Sequence, residues 1–309
     1  MKTASDLNIY TYLTPHPLDD DNHLEEDWID WLPGYTKGET EEGLPSYYHE
    51  DNIALYESIE ELTAKVFRNA LERMWPLLEG IHFNEIQLSI DYLNYMNTTS
   101  TLAGYNHGVS NPAKGVYVFH INHNLLNRYV HFLDGHEGVI PDMGIWEHEL
   151  VHLLDHWQSV GSSSFGLSTI PANNLQHYIL KYREEGIANL FDLMDGKIKG
   201  IPSIEAAKEK FQSNVEIVKA KLQALERTDE QIRSEIYHGY DFYEIGPWLI
   251  LDLLDELFFI MDEFEDAETI ESKISSGILI PDQQKLEILD LALSTIDNQY
   301  FIDRIISEA

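Results

Sequence analysis

The sequence predicts an α+β fold, with a mixed sheet and helices in an N-terminal lobe and a mainly helical C-terminal lobe. Three patterns carry this expectation. Apolar and polar residues alternate at 86–92, and a second strand-like run follows at 116–122. An apolar stripe at helical spacing covers residues 52–79. Beyond residue 171 every periodic segment reads as helix.

Residues 1–50 are rich in Asp, Glu, Gly and Pro, with acidic clusters at Asp19-Asp20-Asp21 and Glu39-Thr40-Glu41-Glu42 around Trp28, Trp31 and Tyr35. They are expected to form an irregular arm, packed through its aromatic residues as a surface wrap or a lid. In the helix at 52–79, Leu55, Ile59, Leu62, Val66, Ala70 and Met74 recur three or four apart, and Pro76 and Gly80 mark its end. Ile86, Leu88, Ile90 and Tyr92 form one face of a half-buried strand. Residues 97–115 read as a polar loop with Gly104, Gly108, Pro112 and Gly115. The strand at 116–122 puts Val116 and Val118 on one side and Tyr117, Phe119 and Ile121 on the other. It is either a core strand or an edge strand able to pair with an extended peptide.

A glycine- and serine-rich loop at 161–166 precedes a helix opened by Pro171 and stopped by Gly196. An amphipathic helix follows at 202–226. Then come a polar, aromatic segment at 235–246, an apolar helix begun by Pro247 and a last helix at about 283–305. There is no internal repeat. The expected organisation is an acidic arm at 1–50, an α/β lobe at 51–165 and a helical lobe at 166–309, with a cleft between the lobes.

The 309 residues, 43% of them hydrophobic, suffice for a large core. Cysteine is absent, which excludes disulfides, thiolate nucleophiles and thiolate ligands. A net charge of −34, from 54 acids against 20 bases, argues against nucleic acid and anionic membranes as partners. The first fifteen residues do not read as a secretory signal, and the longest apolar stretch, 248–260, is too short and too charged to span a bilayer. A cytoplasmic location is the default expectation.

Ile145 to Leu154 contain H-E-L-V-H. Helical residues four apart share a face, so His148 and His152 can meet one metal ion, with Glu149 one step round and within reach of a water on that ion. With no cysteine available, His, Asp and Glu must supply the ligands, and Zn²⁺ suits such a set. A catalytic zinc needs a third protein ligand. The residue ten after His148 is Gln158, not histidine. His156 lies about 80° round the helix from His148, which makes it a poor ligand. Asp155 reads as a supporting or surface acid. Glu185 is the strongest candidate, because Gly186 and Ala188 are small enough to let a second helix approach the first. Glu184 would then be the surface acid of the pair, and Asn189 could orient a ligand histidine. His120, His123, His131 and His136 read as surface or packing residues.

H-E-L-V-H at 148–152 followed by E-G-I-A at 185–188 resembles the gluzincin metallopeptidases. Tyr243-Glu244-Ile245-Gly246 is similar to the Y-x-x-G of aminopeptidase-type gluzincins. The residue before Glu185 is Glu184, where asparagine is frequent in those enzymes, and their amine-binding G-x-M-E-N is absent. The resemblance spans about residues 115–255. It implies a zincin-like fold and one Zn²⁺ held by His148, His152 and Glu185. It further implies Glu149 as general base, Tyr243 as oxyanion donor with Tyr240 and His238 as alternatives, and a peptide or protein substrate. Two other expectations remain open: a zincin scaffold that binds or regulates without turnover, and a metal hydrolase acting on a non-peptide amide.

Overall fold

A computed structural model describes residues 3–14, 35–39, 45–49, 53–91, 103–105, 110–121, 129, 132–133, 135, 143–159, 175–224, 242–261 and 267–308. It is an α+β structure whose chain divides into two compact units, Met1–Leu153 and Leu154–Ala309. The division falls inside a continuous helix.

The first unit is built on a four-stranded mixed sheet. Strands β1 (Ile9–Thr14), β4 (Glu85–Asp91) and β6 (Val116–Ile121) run parallel, and β5 (Ala103–Tyr105) closes the row antiparallel to β6. The order is β1-β4-β6-β5, and β2 (Tyr35–Glu39) and β3 (Pro45–His49) form a separate antiparallel pair. Three strands therefore lie within residues 1–50, where an irregular arm was expected. In the first of them Ile9 and Leu13 align with Ile86 and Ile90, so β1 continues the sheet outward from β4.

The strand β6 is interior, not an edge. Tyr117, Val118, Phe119 and Ile121 are all buried, because an interior strand has both faces covered. Among the described residues the edge beside it is β5, a short strand inside the stretch expected to be loop. Gly104 admits it: a Cβ there would come within 2.5 Å of the His120 ring on β6.

Helix α1 (Ile53–Leu78) contains Pro76 in its last turn rather than ending at it. Its buried face is broader than the expected stripe. Thr63, Phe67, Leu71 and Leu78 join Ile59, Val66, Ala70 and Met74, while Leu62 is only half-buried. Helix α2 (Gly144–Ser159) carries the H-E-L-V-H segment. It is seated on the sheet through Trp146, which meets Phe67 edge-on at 5.1 Å and Phe119 at 6.4 Å between ring centroids. The buried indole N–H donates to the Tyr129 hydroxyl at 3.0 Å.

The second unit is mostly helical, with α3 (Leu175–Ala188), α4 (Leu190–Met194), α5 (Ile204–Ala224), α6 (Phe242–Met261), α7 (Ala267–Ser275), α8 (Asp282–Thr295) and α9 (Asn298–Glu308). Three expectations are corrected. The helix predicted from Pro171 to Asp195 is interrupted at Asn189, whose side-chain amide donates to the Glu185 carbonyl at 2.9 Å. The helix predicted to start at Pro247 starts at Phe242, because burial of Phe242 and Ile245 outweighs the one backbone bond that proline forgoes. The single terminal helix is two, broken at Ile296. Gly196 does stop α4, at φ 68°.

Helix α6 is apolar nearly all round, with Trp248, Leu249, Ile250, Leu251, Leu253 and Leu254 buried, as suits a central helix. It crosses α3 at two glycines. A Cβ on Gly186 would lie 2.6 Å from the carbonyl carbon of Gly246, and one on Gly246 would lie 2.5 Å from the Tyr182 carbonyl oxygen. Tyr178, Tyr182, Phe211 and Phe242 stack edge-on around this crossing. The Tyr182 hydroxyl is joined by Tyr178 at 2.9 Å and by Asn214 at 3.0 Å. Among the described residues, no helix is long and apolar enough to cross a membrane.

Trp28, Trp31, Tyr92, Gly108, His123, His131, His136, Pro171, Tyr237, His238, Tyr240 and the loop at 161–166 lie outside the described residues.

The glycine crossing yields a direct test. Backbone-to-backbone contact leaves a new methyl group nowhere to rotate, so Gly186→Ala should destabilise the protein by about 1–3 kcal/mol. Urea denaturation measures it, and a change below about 0.5 kcal/mol, the scale of an ordinary surface substitution, would contradict the close crossing.

Candidate metal centre

The site starts from how firmly α2 is held. Beside Trp146, the fully buried Glu147 accepts from Arg73 of α1 at 2.8 Å. Two consecutive residues thus anchor the turn that presents His148, one by ring packing and one by an ion pair.

One turn on, His152 brings its Nε2 to 3.0 Å from Nε2 of His148, with the rings at 81° and 4.6 Å between centroids. Glu149 is buried, and its Oε2 accepts from the backbone N–H of Tyr105 on β5 at 2.6 Å. That bond fixes the direction of the carboxylate.

The last turn of α2 is fastened to α3. Arg183 donates through both terminal nitrogens to Asp155, each at 2.8 Å, and through Nε to the Ile296 carbonyl at 2.7 Å. This two-pronged geometry is what a guanidinium gives and an ammonium does not. Asp155 is therefore a structural anchor. Two residues after Arg183 comes Glu185, whose side chain is 5% exposed, against 34% for Glu184. Lys181 reaches both carboxylates, at 2.6 Å from Glu185 Oε1 and 3.0 Å from Glu184 Oε2. Burial alone would lower its pKa, but Glu185 and Glu184 outweigh burial and hold the ammonium well above the ordinary lysine range.

His148, His152 and Glu185 form a group that could hold a metal ion: one ligand-capable atom from each lies within 4.8 Å of the other two. Two donors each about 2.1 Å from a tetrahedral ion lie roughly 3.4 Å apart. Two imidazole nitrogens and one carboxylate oxygen suit zinc, and three protein ligands are the number found in catalytic zinc sites. His156 is half-buried on the same helix and is not a member of the group.

Two sequence-based reasons are corrected. Gly186 was expected to let α3 approach the metal-bearing helix, but it faces Gly246 of α6. Asn189 was expected to steady a ligand histidine, whereas its amide is bonded to the Glu185 carbonyl. Tyr243 lies in the first turn of α6, 49% exposed, and acts electrostatically on Lys181.

Other contributors were missed. Lys181 could have been found, since a lysine four residues before a glutamate on a helix is an expected ion pair. The partners of Arg73, Arg183 and Tyr105 come from distant segments, and nothing local announces them. His120 was read as a surface or packing histidine. It is half-buried over Gly104, and burial holds its imidazole below the ordinary histidine range, partly opposed by the Glu149 carboxylate.

No protein-family model, curated protein or solved structure matches the chain significantly.

Removing the guanidinium would leave the Asp155 carboxylate without its two-pronged donor. Arg183→Met should cost about 3–5 kcal/mol, the scale for breaking a buried pair on one side. Chemical denaturation of Arg183→Met, Asp155→Asn and the double variant measures the coupling, and a coupling near zero would show that the fork contributes nothing.

Proposed function

We propose that the chain is a zinc-dependent metallopeptidase with a gluzincin-type ligand set and a zincin-like fold. The observation that carries this reading is the convergence of His148, His152 and Glu185, with Glu149 beside them and outside the ligand group. That division of labour suits hydrolysis, because three residues hold the ion and a fourth is left to move protons.

Zn²⁺, when bound, supplies a Lewis acid that polarises a carbonyl and lowers the pKa of water to about 7. The chain's own residues do the rest. Glu149 accepts the proton of the attacking water and passes it to the departing amine. The Tyr105 amide holds its carboxylate in one direction, which a base acting on one water requires. The Tyr243 hydroxyl donates to the oxyanion, an effect worth about 3 kcal/mol per donor. The edge strand β5, not β6, offers main-chain groups to an extended peptide. The substrate is accordingly a peptide or protein.

Purified protein is expected to hold close to one equivalent of zinc by elemental analysis and to cleave members of a peptide library. Glu149→Gln should keep the zinc and lose hydrolysis by at least about a hundredfold, as removal of a general base does. His148→Ala should lose the metal. Zinc-free wild-type protein would refute the metal site. A zinc-loaded protein inert toward every peptide would refute the peptidase activity, and full activity in Glu149→Gln would refute the role of that carboxylate.

A further inference from the structure

A cation touches Glu185 from its own helix. Lys181 sits four residues before Glu185 and three before Glu184, so one side chain spans both carboxylates on one face of α3. The Glu185 carboxylate is almost shut off from water and needs a countercharge within the protein. Lys181 is itself only 22% exposed. Its place is therefore part of the interior and not a chance surface pairing.

We propose that Lys181 is a positioning residue that stands in for the metal's charge at Glu185 and must transfer to Glu184 when a divalent ion binds. The proposal rests on the metal-site reading above. An ammonium 2.6 Å from a ligand oxygen competes with any dication for that oxygen and repels it at short range. The flexible four-carbon stem lets the ammonium move without disturbing the helix. Glu184 is already an acceptor at 3.0 Å, and its 34% exposure means that it can carry the lysine at little cost in desolvation. The two adjacent acids then have separate duties. Glu185 faces the ion, and Glu184 receives the cation that the ion displaces. Lys181 thereby keeps the metal-free protein folded around a buried carboxylate and sets the affinity for zinc below what the three ligands alone would give.

The test uses the full chain and zinc alone, with dissociation constants from competition against a chelating indicator. Lys181→Met removes the competing charge at similar size and should tighten zinc binding about tenfold or more, the scale of changes beside metal ligands. Glu184→Gln removes the alternative acceptor and should weaken it several-fold. Lys181→Arg keeps the charge and should stay near wild type. The metal-free form of Lys181→Met should melt at a lower temperature than wild type, and zinc should raise its melting temperature by more. If wild-type protein takes up no zinc, the metal-site reading fails and this proposal with it. If wild type binds zinc and Lys181→Met binds it equally or more weakly, the role of Lys181 fails while the metal site stands. If Glu184→Gln binds zinc as wild type does, the transfer to Glu184 fails.

Discussion

A carboxylate that cannot reach water has to be answered from within the protein, by hydrogen bonds or by a cation, and this chain has few cations. Against 54 acids it carries 20 lysines and arginines. Several of them stand beside buried or half-buried acids: Arg73 at Glu147, Arg183 at Asp155, Lys181 at Glu185 and Lys285 at Asp195. Three of those four pairs involve α2 or α3. An unpaired buried charge is among the most expensive defects a fold can hold, and two of these pairs, Arg73 with Glu147 and Arg183 with Asp155, join α2 to another helix. The surplus acids elsewhere can stay in water, where they cost little.

The consequence for α2 is rigidity at both ends of the histidine pair. Trp146 and Glu147 fix the turn before His148, and Asp155 fixes the turn after His152. Neither anchor is made by the imidazoles themselves. Donor atoms must be placed to within a fraction of an ångström for a metal to bind well, and such placement is supplied by the residues behind the donors. Glu149 follows the same logic through Tyr105, a contact made by the main chain and therefore independent of side-chain identity at that position.

How much of this was legible in the sequence depends on the range of the interaction. The pairing of His148 with His152 follows from helical arithmetic, and so would Lys181 with Glu185. The stop at Gly196 follows from local backbone chemistry. The α+β division follows from periodicity. What the sequence hid is whatever depends on a partner far along the chain. Apolar residues on both faces of 116–121 fit a core strand and an edge strand alike, and only the pairing with β4 on one side and β5 on the other decides. Pro247 reads as a helix start by local rule, but the start is set by burial of Phe242 and Ile245. Gly186 shows the subtler failure. Its smallness was rightly tied to a close helix approach, and wrongly to which helix approaches.

That last point bears on how the segment Glu185-Gly186 should be understood. The glycine lets α3 and α6 touch backbone to backbone, while the glutamate beside it is held by Lys181 four residues earlier. Adjacent residues on a helix point about 100° apart, so one can face α6 while the next faces elsewhere. The two requirements are separate: a larger residue at 186 would push α6 away, and a neutral residue at 185 would leave Lys181 with Glu184 alone. Their adjacency couples the position of the Glu185 carboxylate to a close backbone crossing in the helical unit. A displacement of α3 large enough to misplace Glu185 would have to open that crossing first. The carboxylate is therefore held in place by main-chain contact as well as by charge, and the ammonium beside it can move without the helix moving.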